Sequence, residues 1–301
     1  MTMVNEKPIK KIQLAGASED SLSRSSTWNY HPTLPMKNSS IFNWPPSPSF
    51  LFNWLLNNWL TLSERILLVF ISILLWKFCY PNFDRARTFS FDWVLQTYTI
   101  NFLVVLTIAG LLHWYFYMRK GQGDELKFDR RGMGEKNKLW SFSNQVHDNM
   151  FWSLGSGVVQ LTAFMVITMW LMANGYAPTI TATSNPIWFV LSLILLPIFS
   201  AFHFYWIHRL LHVPLLYKRV HSLHHRNVSV GPWSGLAMHP IEHFLYFSSL
   251  CIHWIVPSDP ILVIFHVLWL GPNAAMSHTG YEDLLIKDKR RLALGTFYHQ
   301  L

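Results

Sequence analysis

The stretch AFHFYWIHRLLHVPLLYKRVHSLHHRNVSVGPWSGLAMHPIEH, Ala201 to His243, holds eight of the chain's fifteen histidines in 43 residues. His208 and His212 stand four apart in HRLLH, and His221, His224 and His225 stand at i, i+3 and i+4 in HSLHH. In helices, each set falls on a single face. Imidazole is a ligand for Fe, Zn, Cu and Ni, and several imidazoles aimed at one point suit a metal better than a packing role. The spacing therefore predicts a polyhistidine metal site, and the rest of the chain reads as its scaffold.

That scaffold is membranous. Hydrophobic residues make up 51% of the chain, aromatics 16% and charged residues 13%, with a mean hydropathy of +0.20, far from the composition of a typical soluble domain. The net charge is +8, but the basic residues lie in short connectors between apolar runs, which fits membrane orientation and excludes a nucleic-acid partner. Cys79 and Cys251 each sit inside an apolar run and match no thiolate metal spacing. The expected fold is all-α, a polytopic integral-membrane helical bundle with a cytosolic, histidine-rich metal-binding cap.

Outward from the histidines, three regions are expected: a disordered cytosolic tail and Pro-rich linker over 1–50, an interfacial helix and the first spans with a basic cytosolic loop over 51–185, and a catalytic region over 186–301. Leu51 to Leu62 mixes Trp, Leu and Asn as an interfacial helix does. A first span follows from Ile66 to Tyr80, and a second from Trp93 to Met118 is free of Asp, Glu, Lys and Arg. The loop Arg119 to Lys138 has seven basic residues against four acidic, a cytosolic-side signal. Asn149 to His208 reads as two helices joined by the uncharged loop Asn174 to Pro186, with a kink expected at Pro197. His243 to Ser258 and Pro260 to Tyr281 read as a hairpin of spans or a re-entrant pair. Six crossings from a cytosolic N-terminus put the basic loop, the histidine stretch and the C-terminal segment on one side.

Not every histidine belongs to the site. His113, His253 and His266 stand in apolar runs and read as hydrogen-bonded core residues, and His31 and His147 as surface residues. His203 lies about 140° around a helix from His208 and reads as packing. His278 and His299 fall on the expected cytosolic side and can reach the same cavity. His239 and His243 are possible ligands, or belong with Glu242 in support of the ligands.

These motifs resemble the fatty acid hydroxylase and sterol desaturase superfamily of integral-membrane, non-haem di-iron enzymes. The family's boxes read H-x3-H, H-x2-H-H and a final H-x2-H-H. His208 and His212 match the first, His221, His224 and His225 the second, and His278, Gly280 and Tyr281 an H-x-G-Y element; YWIHR, LYK and GLAMHP also look like family sequence, and HRLLH, LYK and GLAMHP together lean towards its sterol desaturase branch. The resemblance covers Pro186 to Leu301. Two positions depart from it: Ala201 stands where members commonly carry an acid, and the third box opens at His299, two residues before the chain's last position. The chain is accordingly expected to be a fragment, with a catalytically inactive relative as the alternative.

The resemblance implies hydroxylation or desaturation of a sterol or fatty acyl C–H bond in lipid biosynthesis. It implies two iron ions, O2 as co-substrate, a lipid drawn from the bilayer and a soluble or membrane electron donor, cytochrome b5-like or ferredoxin-like. It also implies His208, His212, His221, His224, His225, His278 and His299 as iron ligands, with Glu242, Tyr205 and Tyr281 hydrogen-bonding around them. The membrane would be the endoplasmic reticulum in a eukaryote or the inner membrane in a bacterium. A haem-binding electron carrier needs axial histidines deep within spans, and a zinc hydrolase needs an H-E-x-x-H motif that the sequence lacks.

Overall fold

The computed structural model describes residues 28–32, 45, 47–56, 64–287 and 289–294. Its helices begin on proline with unusual regularity: Pro48, Pro186, Pro240, Pro260 and Pro272 each occupy a first-turn position. Proline has no N–H to lose there, and its fixed φ is already helical. Where a further cap is present it is a side chain, as when Asp259 accepts from Ile261 N at 2.8 Å.

The chain runs α1 (Pro48–Leu55), α2 (Glu64–Phe78), α3 (Phe91–His113) with a π-helical end at Trp114–Met118, and α4 (Gln145–Phe151), which a π-helical turn joins to α5 (Val158–Ala173). Then come α6 (Pro186–Leu211), the one-turn α7 (Pro214–Leu216), a π-helical turn Tyr217–His221, and α8 (Ser222–His225). α9 (Pro240–Phe247) continues as the 3-10 helix Ser248–Trp254, followed by α10 (Pro260–Leu270) and α11 (Pro272–Ser277). A short antiparallel hairpin, β1 (Asp283–Ile286) with β2 (Lys289–Ala293), pairs Asp283 with Ala293 and Ile286 with Lys289. This hairpin is an addition to the all-α expectation. Its strands are too short and too charged to show a two-residue hydrophobic period.

Among the described residues, four helical stretches are long and apolar enough to cross a membrane: Phe91–Met118, Gln145–Ala173, Pro186–Leu211 and Pro260–Ser277. The protein is a multi-pass membrane bundle. Gln145–Ala173 and Pro260–Ser277 are its centre, their apolar windows 61% and 72% buried against 22% and 28% for the other two. On α6, Ile187, Val190, Leu191, Leu195, Ile198, Phe202 and Trp206 face outwards, the apolar exterior that a lipid solvent requires.

Two further helical segments, expected from the sequence as crossings, fall short of that length. Glu64–Phe78 has 15 residues and rises about 22 Å. Pro240–Trp254 combines an eight-residue α-helix with a seven-residue 3-10 helix, whose steeper rise stretches it to about 26 Å. The second of these reaches the far end of the bundle, where Ser258 N donates to Pro178 O at 3.2 Å and Ile180 N to Ser258 O at 3.1 Å. Asn174 Nδ2 donating to Arg87 O at 3.1 Å brings a third turn to that end.

The opposite end gathers residues 119–144, 212–239 and 278–294. Phe128 N donates to Gly280 O at 2.9 Å, Tyr117 Oη to Val230 O at 2.9 Å, and Gln122 Nε2 to Asp283 O at 3.1 Å. Most of the tail expected over 1–50 lies outside the described residues. Its described part is held, with Asn29 N donating to Phe128 O at 2.7 Å. The interfacial helix expected over Leu51 to Leu62 corresponds to α1, residues 57–63 lying outside the described ones.

Candidate metal centre

α6 ends at this second end of the bundle, with His208 in its last turn and His212 as its cap. Pro214 then starts a new turn, and the π-helical Tyr217–His221 delivers His221 into the interior before α8 carries His224 and His225. A π-turn rotates the side chains after it relative to an α-helix, and here it sets His221 and His225 against the pair on α6.

His212 Nε2 lies 3.0 Å from His208 Nε2, and His225 Nε2 lies 3.0 Å from His221 Nε2. One ring nitrogen from each of the four lies within 4.8 Å of every other. His221 is fully buried, whereas His212 and His225 are exposed, so the cluster is closed towards the bundle and open at its surface. Tyr217 stands at the open side, its ring 5.5 Å from that of His212 and 5.7 Å from that of His225.

Glu242 supports the cluster from below. His221 Nδ1 pairs with Glu242 Oε1 at 2.8 Å, with the carboxyl only 3% exposed. With the carboxylate as acceptor, the proton sits on Nδ1 and the lone pair on Nε2 points into the cluster, the arrangement by which a carboxylate orients a metal-binding histidine. Burial, with His212 beside it, lowers His221 to about 4, and burial, with His278, His221 and His225 around it, holds His224 well below the ordinary value. Both are neutral at neutral pH, the state that ligates metal.

The donor set fits a bound cation. Glu242 Oε2 and His224 Nδ1 are buried without a hydrogen-bond partner, and the ion-pair partner of Glu242 among the described residues is His221. Burial pushes Glu242 up to about 9, and positive charge placed among the four imidazoles would hold it as the carboxylate. Four imidazole nitrogens suit iron, zinc, copper or nickel.

His224 and His278 form a second pair beside the cluster, ring centroids 5.7 Å apart. His278 Nδ1 donates to Ala274 O at 2.9 Å. Gly235 makes this packing possible: a Cβ there would collide with Ala274 O and lie 3.1 Å from His278 Nδ1.

Of the other expected site residues, His299 lies outside the described residues. His239 Nδ1 caps α9 by accepting from Ile241 N at 3.2 Å. His243 is buried with both nitrogens engaged, Nδ1 by Ser156 Oγ at 3.1 Å and Nε2 by Leu236 O at 3.0 Å. Tyr205 Oη accepts from Arg209 Nη1 at 2.8 Å and Tyr281 Oη donates to Gly123 O at 2.9 Å, so both hydroxyls are spent on partners other than the clustered histidines. Tyr217 stands in the LYK noted in the sequence, but nothing in its spacing marks its ring as lying against His212 and His225.

Comparison with known proteins bears on the same region. Residues 193–301 match the family model described as fatty acid hydroxylase. The chain is 41% identical over 96 residues to the Delta(7)-sterol 5(6)-desaturase ERG3B of Gibberella zeae, covering 31% of this chain and 29% of that protein. It is 43% identical over 87 residues to the Delta(7)-sterol 5(6)-desaturase erg3C of Aspergillus fumigatus, covering 29% of this chain and 26% of that one. The very-long-chain aldehyde decarbonylase GL1-4 of Oryza sativa subsp. japonica is 38% identical over 81 residues, 27% of this chain and 11% of its own length. The chain thus spans less than a third of the length of these relatives. No solved structure matches it.

Proposed function

We propose, from the family match over residues 193–301 and the likeness to sterol desaturases, that the chain is a member of the fatty acid hydroxylase and sterol desaturase superfamily and a membrane-bound non-haem di-iron oxidoreductase acting on a lipid C–H bond. The observation that carries this reading is the convergence of His208, His212, His221 and His225, with a ring nitrogen of each within 4.8 Å of the others. These four would hold one iron, and His224 and His278 would contribute to a second, with His299 as a further ligand.

Iron supplies the oxidising power that an unactivated C–H bond demands and that no side chain has. Desaturation then balances as CH2–CH2 + O2 + 2 electrons + 2 protons giving CH=CH + 2 H2O. The names of the sterol desaturases above favour a sterol as substrate and desaturation as outcome, while the family match to fatty acid hydroxylases keeps hydroxylation as the alternative.

The protein's own part is placement. The outward apolar face of α6 leads from the bilayer region to His208 and His212 at its end, a route along which a lipid approaches the ligands without leaving an apolar surface. Glu242 fixes the orientation of His221. Arg209, Lys218, Arg219 and Arg226 around the histidines give this end of the bundle a positive surface on which an acidic electron donor, cytochrome b5-like or ferredoxin-like, would dock. By the same positive charge this end faces the cytosol, with the endoplasmic reticulum as the membrane in a eukaryotic host.

Lipid profiling of cells expressing the full-length gene, set against a His224→Ala control, tests the function. A new ring double bond or hydroxyl present only with the unaltered protein is expected. Identical lipid profiles, with both proteins inserted and iron-loaded to the same level, contradict it.

A further inference from the structure

The second histidine motif is followed at once by Arg226 and Asn227, and both are gripped by a helix outside the 193–301 match. α4 presents Gln145, Asp148 and Asn149 at i, i+3 and i+4, one helical face. Their exposures are 2%, 0% and 2%, so this is a fully buried polar face at the start of a membrane helix.

All three side chains or their partners reach the two residues after His225, while Gln145 also accepts from Gly134 N at 2.8 Å and donates to Ser229 O at 2.7 Å. Asn227 Oδ1 accepts from Gln145 Nε2 at 3.0 Å and from Asn149 Nδ2 at 2.8 Å. The other side of the same amide, Nδ2, donates to His224 O at 3.1 Å. Arg226 pairs with the buried carboxylate of Asp148, lies 4.7 Å over the ring of Trp140 and donates from Nη1 to Leu139 O at 3.2 Å. Asp148 Oδ1 accepts from Ser141 N at 2.9 Å, so the carboxylate is itself fixed.

α8, which carries His224 and His225, is four residues long. One helical turn has no stability of its own, because nucleation costs more than its hydrogen bonds return. Its position must come from tertiary contacts, and the contacts immediately after it are these. An ion pair this deep in the protein is costly to desolvate and is retained where it fixes one geometry.

We propose that Asp148, Gln145 and Asn149 are positioning residues of the metal centre, which lock Arg226 and Asn227 and thereby aim His224 and His225. The inference rests on the metal-centre reading above. It extends the functional unit beyond the family match, to a helix some 78 residues upstream of its target.

The test is titration of Co2+ alone into the purified full-length chain in detergent, reading the dissociation constant, the d–d absorption band and the melting temperature. Asp148→Asn and Asn227→Ala should each weaken Co2+ binding about 10–100-fold, the usual effect of removing a partner behind a metal ligand, and should shift the d–d band. Thr168→Val removes a buried hydrogen bond to Trp254 at the far end of the bundle. It should lower the melting temperature and leave affinity and band unchanged, which separates positioning from general destabilisation. Adding Asp148→Asn to Arg226→Ala should cost no more than Arg226→Ala alone. Asn227→Ala removes no charge and keeps the test open should Asp148→Asn not fold. Wild-type affinity and spectrum in the folded variants overturn the inference while leaving the metal centre standing. Failure of the unaltered protein to bind Co2+ overturns the metal centre and the inference with it.

Discussion

The protein contains two histidine clusters of opposite character. In the first, His208, His212, His221 and His225 turn their Nε2 atoms towards one another at the surface end of the bundle. In the second, His253 and His266 are sealed between α6, the 3-10 helix Ser248–Trp254 and α10. There every ring nitrogen has a partner. Ser258 Oγ donates to Val256 O at 3.0 Å, so His253 Nδ1 donates to Ser258 at 2.7 Å. His253 Nε2 therefore accepts from His266 Nδ1 at 3.0 Å, and His266 Nε2 accepts from Ser249 Oγ at 3.1 Å. One direction of donation satisfies the whole chain. Close histidines alone do not make a metal site: the first cluster brings four rings to one point, whereas serine-terminated chains are how the interior absorbs imidazoles without a metal.

This contrast is open to attack from both sides. The largest effect is expected from His221→Ala, which removes a proposed ligand and the partner of Glu242: metal affinity should fall by more than ~100-fold, since even outer partners of ligands are worth 10–100-fold. Glu242→Gln should weaken metal binding by about 10–100-fold while the bundle still inserts, read by metal titration of the purified variant. In the sealed cluster the pattern reverses. His266→Ala should destabilise the protein by about 1–3 kcal/mol for each buried partner left unsatisfied, seen as a lower melting temperature with metal affinity unaltered; loss of metal there would erase the distinction between the clusters. Gly235→Ala should cost about 1–3 kcal/mol by overpacking against Ala274 and His278, with any metal defect confined to the site that His278 serves. Tyr205→Phe, which loses only an exposed bond to Arg209, should change stability by less than about 0.5 kcal/mol and leave metal content alone.

What could be read from sequence was what is local. HRLLH and HSLHH announce themselves because i, i+3 and i+4 neighbours share a face whatever the rest of the chain does, and the four membrane-length helices follow from apolar run length and the prolines that start helices. The engagement of His243 was not legible, because Ser156 lies 87 residues away. Nor was the role of α4, whose Asp148 and Gln145 look like ordinary loop-flanking polar residues until Arg226 and Asn227 arrive from 78 and 82 residues downstream. The π-helical turns at Trp152–Gly157 and Tyr217–His221 leave no periodic signature, yet the second brings His221 to Glu242.

X-ray absorption at the iron edge, on protein purified with iron bound, tests the central claim most directly, with His221→Ala measured in parallel. A first shell dominated by imidazole nitrogen, and loss of most of the iron in the variant, is the predicted result. Unchanged iron content and an unchanged shell in His221→Ala would contradict it.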